Sequence, residues 1–200
     1  LDAIAGEAGP FQARLECDGA ENEDPEPVEP ADVAVDVVFS PQDYEASHLP
    51  ATVTVIDSAT EHLDVAMYSF RDATLVDAIG RAVQRGVAVR AILESARADR
   101  SDPDGSKAQQ LEQLGAEVRW VNKIMHHKFA MADGPVADVA AAHTARLVTG
   151  SANWSYSAAT RYDENTLFVE GDDKLVLAFQ REFNLLWANG RAFPGSEELS

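Results

Sequence analysis

The sequence predicts an α/β protein with a mixed, largely parallel sheet flanked by helices on both faces. Short apolar, β-rich runs alternate with helical runs in a β-α-β-α-β-α-β series as far as about residue 120. Further β-rich runs lie near 127–132, 146–150 and 165–169, before a last helix over about 172–188. In such sheets, functional side chains gather at the carboxyl ends of the strands.

The elements follow in order from local patterns. Residues 33–39 predict a buried strand, which Pro41 ends. A helix over 48–62 and a strand over 63–69 come next, and Asp72 then caps a helix that Gly86 closes. A strand over 87–93, a polar loop over 95–105, a helix ending at Leu114 before Gly115, and a strand from Val118 complete the first half. The apolar residues of the last helix have the spacing of a core face: Leu175, Phe179, Phe183, Leu186 and Trp187.

Composition divides the 200 residues into three segments. Residues 1–32 are acidic and contain several prolines, which predicts a disordered tail or linker. Residues 33–190 form the predicted folded domain, and 191–200 a C-terminal tail. The net charge is −18, and such an acidic surface repels polyanions.

Several classes of protein are excluded or left open by the sequence. Cys17 is the only cysteine, so an internal disulfide and a cysteine-based zinc site are both excluded; we expect it to be a bystander, with an intermolecular bridge as the alternative. His48, His62 and His143 lack the spacing of metal ligands and are interpreted as surface residues or helix ends. No apolar run is long enough for a transmembrane helix, and we expect a soluble protein. The chain begins at Leu1, from which we expect a missing upstream segment; the compartment is open, with secretion or a periplasmic location after its removal as alternatives.

The first chemical pattern is His126-x-Lys128 in a predicted strand. Residues two apart on a strand face the same way, so these side chains project together while His127 points to the opposite face. An ammonium beside an imidazole suits phosphate chemistry, because lysine binds phosphoryl oxygens and neutral imidazole attacks phosphorus or transfers a proton. The alternative is a polar strand edge.

The second pattern follows the strand near 146–150. Gly150 permits close backbone approach, and Ser151 and Asn153 offer hydroxyl and amide donors for an anionic phosphoryl group. An ordinary turn is the alternative. Glu164, before the next strand, is a carboxylate of the kind that fixes a histidine tautomer, or else a solvated surface acid.

Together these segments resemble the phospholipase D superfamily, and in particular its small single-motif members, the bacterial endonucleases and the Zucchini-like mitochondrial type. The matching segments are 125–134, 149–154 and Glu164-Asn165, with upstream similarity at 38–41, 64–70 and 85–93. The ordered set of segments is far more specific than the His-x-Lys-x4-Asp pattern alone.

The resemblance implies a role for each matched residue. His126 is the expected nucleophile, forming a phosphohistidine. Lys128, Ser151 and Asn153 are expected to hold the phosphate, and Glu164 to orient the histidine. Asp133 is expected to be structural, tying the motif down.

The resemblance also implies a phospholipase D-like fold and a homodimer. The family needs two motifs per site and this chain has one, so a second copy is expected to supply His126 as general acid across an isologous interface. No metal or other cofactor is expected. The insert at 135–145 departs from the compact family pattern and is expected to be a surface loop at the rim of the site; the zinc-binding insert of Zucchini-like members is absent.

Three functions stay open at this point. The first is a metal-independent nuclease on DNA or RNA, favoured by a net +3 over residues 119–161 that predicts a positive funnel. Trp154 and Tyr156 could stack on bases or serve packing. The second is a phospholipase D acting on phospholipid headgroups such as phosphatidylcholine or cardiolipin, and the third a non-catalytic phosphate-binding relative.

Overall fold

One mixed sheet of eight strands organises the computed structural model, which describes residues 33–94, 107–121 and 124–192. The spatial order of the strands is β1-β7-β6-β5-β2-β3-β4-β8. Their bounds are β1 Ala34–Ser40, β2 His62–Met67, β3 Ala88–Leu93, β4 Glu117–Trp120, β5 Lys128–Ala132, β6 Arg146–Gly150, β7 Glu164–Glu170 and β8 Arg191–Ala192.

Helices cover both faces of this sheet. The α-helices are α1 His48–Ser58, α2 Ala73–Gln84, α3 Lys107–Leu114, α4 Tyr156–Thr160 and α5 Asp173–Asn189, with short 3-10 helices at Tyr44–Ala46 and Val139–His143. Helices α1, α2 and α3 pack their apolar residues on one face, while α5 and the 3-10 helix at Val139–His143 pack on the other. The expected α/β class with flanking helices is confirmed.

The direction of pairing changes at the middle of the sheet. Strands β2, β3 and β4 are parallel, because α2 and α3 lie between them in the chain and return it to the same end. All other pairs are antiparallel. The sheet is therefore mixed, as predicted, but its parallel part is limited to these three strands, since β5, β6 and β7 follow one another up and down.

Among the described strands, β1 lies at the edge of the sheet and pairs only with β7. The prediction of a strand here is confirmed, but the prediction that it is buried is wrong. Val35 and Val37 are exposed, and Phe39 is 62% exposed. Its apolar composition indicates a strand without revealing whether a neighbour lies on both sides.

Local signals place the helix ends. Asp72 caps α2 by accepting from the backbone N–H groups of Thr74 and Leu75, and Gly86 and Gly115 follow α2 and α3 with φ of 90° and 100°. Helix α1 ends at Ser58, earlier than predicted. The reason is Asp133, whose carboxylate takes the N–H groups of residues 60–62.

Helix α5 has the predicted apolar face. Phe183 and Leu186 are buried, and Leu175, Phe179 and Trp187 pack against the same cluster. That face also holds a polar network that the apolar spacing did not reveal, in which Asp64 accepts from Arg90 at 2.7 and 2.6 Å and from Gln180 at 2.8 Å.

The ends of the chain fall partly beyond the described residues. The predicted tail at 1–32, Cys17 and the loop at 95–105 lie outside them. Arg191 and Ala192, expected to begin the C-terminal tail, instead form β8 against β4, and 193–200 lie outside the description. Among the described helices, none combines the length and hydropathy needed to cross a membrane.

Candidate active site

The backbone around His126 is held from both sides at the end of the sheet where β2 and β3 finish. Met125 is buried, and its N–H donates to Glu94 Oε2 at 2.9 Å. The N–H of Tyr68 donates to the carbonyl of His127 at 2.9 Å. His126 therefore projects from a fixed segment at the carboxyl ends of the parallel strands, where a site was expected.

His126 and Lys128 project together, as the strand period predicts. Lys128 Nζ lies 3.0 Å from His126 Nδ1 and donates to the His126 carbonyl at 2.7 Å. His127 faces the other way, with Nε2 3.2 Å from Glu182 on α5. An ammonium has protons but no acceptor, so a ring nitrogen in contact with it carries a lone pair.

Lys128 is only 8% exposed. Burial lowers the pKa of its ammonium, and the negative charge of Glu164 acts in the opposite direction. A desolvated cation beside His126 interacts strongly with any anion that enters, because little water screens the pair.

Tyr68 is a site residue that the sequence reasoning missed. Its ring centroid lies 4.3 Å from that of His126, and Lys128 Nζ lies 5.0 Å from its ring centre. Tyr68 thus forms an aromatic wall against both side chains. The signal was its position directly after β2, at the end of the sheet where a site was expected.

The loop after β6 is clamped onto β7. A Cβ at Gly150 would overlap the Asn165 carbonyl oxygen and lie 2.9 Å from Thr166 Cα, so only glycine fits this close approach. Ser151 N–H donates to the Asn165 carbonyl at 3.0 Å, and Ser151 Oγ accepts from Asn165 N–H at 3.0 Å. The Ser151 hydroxyl is exposed at the site end of the sheet.

Asn153 is anchored by a residue interpreted differently from the sequence. His48 begins α1, as a helix-end interpretation requires, but it is 1% exposed and not a surface residue. Its Nε2 lies 3.0 Å from the Asn153 carbonyl oxygen, and burial lowers the pKa of its imidazole. Among the described residues, the buried Asn153 Oδ1 has no hydrogen-bond partner.

Glu164 is the first residue of β7 and half-buried. Within the described ranges it makes no hydrogen bond to His126, whose ring nitrogens contact Lys128. Its charge instead raises the pKa of Lys128 and of His48 against the effect of their burial. The role of orienting His126 therefore stays a prediction.

Asp133 lies at the other end of β5. With φ of 52°, it accepts from Glu61 N–H at 2.8 Å and His62 N–H at 3.1 Å, and from both the N–H and the hydroxyl of Thr60. Burial acts to raise the pKa of its carboxyl, but these hydrogen bonds together outweigh burial and lower the pKa below its ordinary value.

The insert at 135–145 is also at that far end. It continues from Asp133, forms the 3-10 helix Val139–His143 and buries Ala142 and Ala145 in the cluster under α5. The expectation that it borders the site is wrong, because β5 ends and β6 begins away from His126. His143 itself is exposed and lies 3.0 Å from Asp173, as its surface interpretation requires.

The basic residues of 119–161 do not form one funnel. Arg146 starts β6 at the far end and is paired with Glu170, and Arg119 lies over Trp187 with its Nη1 donating to the Trp187 carbonyl. Lys128 and Arg161 remain at the site end, and Lys123 lies outside the described residues. Within the described ranges, no group of three His, Cys, Asp or Glu residues is placed to hold a metal ion.

The sequence matches known proteins over most of the folded part. The family model described as cardiolipin synthase, PLD-like domain, matches residues 52–187. Mitochondrial cardiolipin hydrolases from Chlamydomonas reinhardtii, Drosophila melanogaster and Homo sapiens are 32%, 34% and 33% identical over 73%, 72% and 70% of this chain. The matches cover 62%, 59% and 51% of those proteins, so the chain spans about six-tenths or less of their length.

Solved structures give the same result. The phospholipase D family member Nuc from Salmonella typhimurium superimposes with a TM-score of 0.68 at 25% identity, over 80% of this chain and 98% of that one. NucT from Helicobacter pylori, at 20% identity, shares the fold with a TM-score of 0.64, over 80% of this chain and 99% of its own. The chain belongs to the phospholipase D superfamily, as a member with a phospholipase D-like domain.

Proposed function

We propose that the chain is a metal-independent phosphodiesterase that works through a phosphohistidine. A ring nitrogen of His126 attacks phosphorus, a P–N bond forms and a P–O bond breaks, and the leaving oxygen takes a proton from a general acid. Water then attacks phosphorus, gives its proton to that same group and releases His126. Lys128, Ser151 and Asn153 hold the phosphoryl oxygens, and Glu164 orients the imidazole. The main observation that supports this proposal is the distance of 3.0 Å between Lys128 Nζ and His126 Nδ1.

The general acid is the His126 of a second copy. One copy supplies one nucleophile and no second histidine of the motif, and a two-fold interface would bring two identical sites face to face. Asp133 contributes by fixing the far end of β5, away from the chemistry.

Nucleic acid is the substrate we favour, with phospholipid as the second candidate. An exposed tyrosine, Tyr156, stands beside the site and suits an aromatic base. The cardiolipin hydrolase names of the relatives favour the lipid. Both are phosphodiesters, and the residues that act on the phosphate are the same.

A matched pair of variants tests the chemistry. We expect His126→Ala to lose activity by at least about a thousandfold, because no nucleophile remains. His127→Ala, changed one residue away on the opposite face, should keep it. The assay compares single-stranded DNA, RNA and cardiolipin vesicles in the presence of a chelator, followed by acid-quench trapping of the phosphoenzyme. Activity of His126→Ala equal to that of His127→Ala would refute the proposal.

A mixing experiment tests the shared site. If each site needs two copies of His126, co-expression of equal amounts of wild type and His126→Ala gives about one quarter of the wild-type activity, since only one dimer in four is unmutated. Independent sites would give about one half. Tagged copies and sedimentation velocity verify random pairing.

A further inference from the structure

A cavity of about 640 Å³ opens at the site end of the sheet, between helix α4 and the segment that joins β1 to α1. Tyr44, Tyr156, Gln42, Asp43 and Arg161 contribute to its lining. It lies just past the end of β1, where Ser40 pairs with Glu164 of the site. Three strand spacings separate β1 from β5, so the cavity is about 14 Å from Lys128 along the sheet.

Two tyrosines give this cavity an aromatic floor. The rings of Tyr44 and Tyr156 are nearly parallel, with an interplanar angle of 18° and centroids 6.3 Å apart. Tyr44 is fixed, because its hydroxyl donates to Asp72 Oδ2 at 3.0 Å and lies 2.9 Å from Thr74 Oγ1. Tyr156 is 56% exposed, although nearby Trp154 is 1% exposed and packs against Phe70 in the core.

The position of Tyr156 is coupled to the phosphate-binding loop. Helix α4 begins at Tyr156, and Ser155 caps it by accepting from Ala158 N–H. Asn153, whose carbonyl is held by His48, lies three residues before Tyr156. A ligand that reached from Asn153 to this cavity would therefore contact two groups carried by one rigid turn.

The charge of the lining selects among ligands. Arg161 lies 5.7 Å from the centre of the Tyr156 ring, and Asp43 supplies one opposing negative charge. A pocket without net charge is a poor phosphate site, and a quaternary ammonium would be repelled by the guanidinium already near that ring. An uncharged aromatic ring stacks on tyrosine and gains from an adjacent arginine.

We propose that this cavity binds one unpaired base of a single-stranded nucleic acid, farther along the strand than the nucleotides that flank the phosphate at His126. The base stacks against Tyr156 over the floor formed with Tyr44. In a duplex the faces of a base are covered by its neighbours, so the cavity selects single strands. The acidic protein gains little from backbone charge alone, which makes stacking the main source of affinity. This inference rests on the proposed function.

The test compares a single-stranded oligonucleotide with an abasic oligonucleotide of the same length. We expect Tyr156→Ala to lower the ratio of kcat/KM on the oligonucleotide to kcat/KM on the abasic one by about tenfold, through KM, which corresponds to one lost stack. Tyr156→Trp should keep the ratio. Tyr162→Ala, at another exposed tyrosine outside the cavity lining, is the matched control and should leave the ratio unchanged.

Binding separates failure of this inference from failure of the proposed function. In a His126→Ala background, fluorescence anisotropy should show the oligonucleotide bound about tenfold more weakly after Tyr156→Ala, whether or not the parent protein cleaves it. If the parent protein does not cleave the oligonucleotide but Tyr156→Ala still weakens its binding, the nuclease proposal alone is overturned. An unchanged ratio with unchanged binding would overturn the base site. Loss of activity on choline-lipid vesicles but not on oligonucleotides would identify a headgroup pocket instead and refute the inference.

Discussion

The carboxylate of Asp133 connects the far end of β5 to the start of β2 through hydrogen bonds. We expect Asp133→Asn to destabilise the fold while leaving the chemistry at His126 intact. Asparagine has the same shape and tolerates the φ of 52° at this position, so the change removes the charge and replaces by a donor the oxygen that accepts from the Thr60 hydroxyl.

The magnitude follows from the hydrogen bonds. Three backbone N–H groups donate to the carboxylate, from Thr60, Glu61 and His62. A hydrogen bond to a charged acceptor contributes about 1 kcal/mol more than one to a neutral acceptor. Because solvent reaches part of this cluster, we expect a loss of about 2 kcal/mol rather than the full sum, or about 4–8 °C in melting temperature.

Thermal melting at several pH values is the assay. The pKa of Asp133 is lowered in the folded protein, so its contribution is complete above the unfolded value of about 3.9 and disappears as the pH falls through the folded pKa. The difference between wild type and Asp133→Asn should therefore be constant from about pH 5 to 7 and shrink progressively as the pH falls below about 4. A large fall in kcat at 20 °C without a change in melting temperature would refute the scaffold role.

Three further substitutions test the site. His48→Phe keeps an aromatic ring but removes one of the two donors to the Asn153 carbonyl and leaves only Ser155 N–H at 2.9 Å, so we expect a loss of about 1 kcal/mol in urea unfolding together with a raised KM; unchanged KM would mean that His48 does not position Asn153. Gly150→Ala should cost about 2–4 kcal/mol by urea unfolding, because its Cβ meets the Asn165 carbonyl, and a stable variant would show that the loop moves freely. Lys128→Met should lower kcat by at least about a hundredfold without loss of stability, since it removes a desolvated charge; a cooperative loss of melting temperature would indicate a structural lysine instead.

Features set by local periodicity were predictable. Strand alternation put His126 and Lys128 on one side and His127 on the other, as the contacts with Glu182 confirm. The capping by Asp72 was predicted equally well, because a cap depends on residues two and three positions away. Such features need no knowledge of which elements become neighbours.

Features that depend on which elements become neighbours in space were not predictable from the sequence. The composition of β1 indicates a strand, but the chain order does not reveal that β7 is its only neighbour among the described strands. His48 has the pattern of an exposed helix start, and only the approach of Asn153, far along the chain, makes it buried. The insert at 135–145 was predicted at the wrong end of the sheet, because its place depends on the direction in which β5 runs.

The position of Lys128 at one end of β5 and of Asp133 just beyond the other gives the motif spacing a physical meaning. The intervening residues, Phe129 to Ala132, are all buried and complete one strand, so the spacing measures the height of the sheet, about 16 Å. One added residue would turn the lysine to the opposite face or pull Asp133 away from its donors. The spacing is thus fixed by the geometry of the sheet, and the four residues inside it pack alternately into the apolar clusters on its two faces.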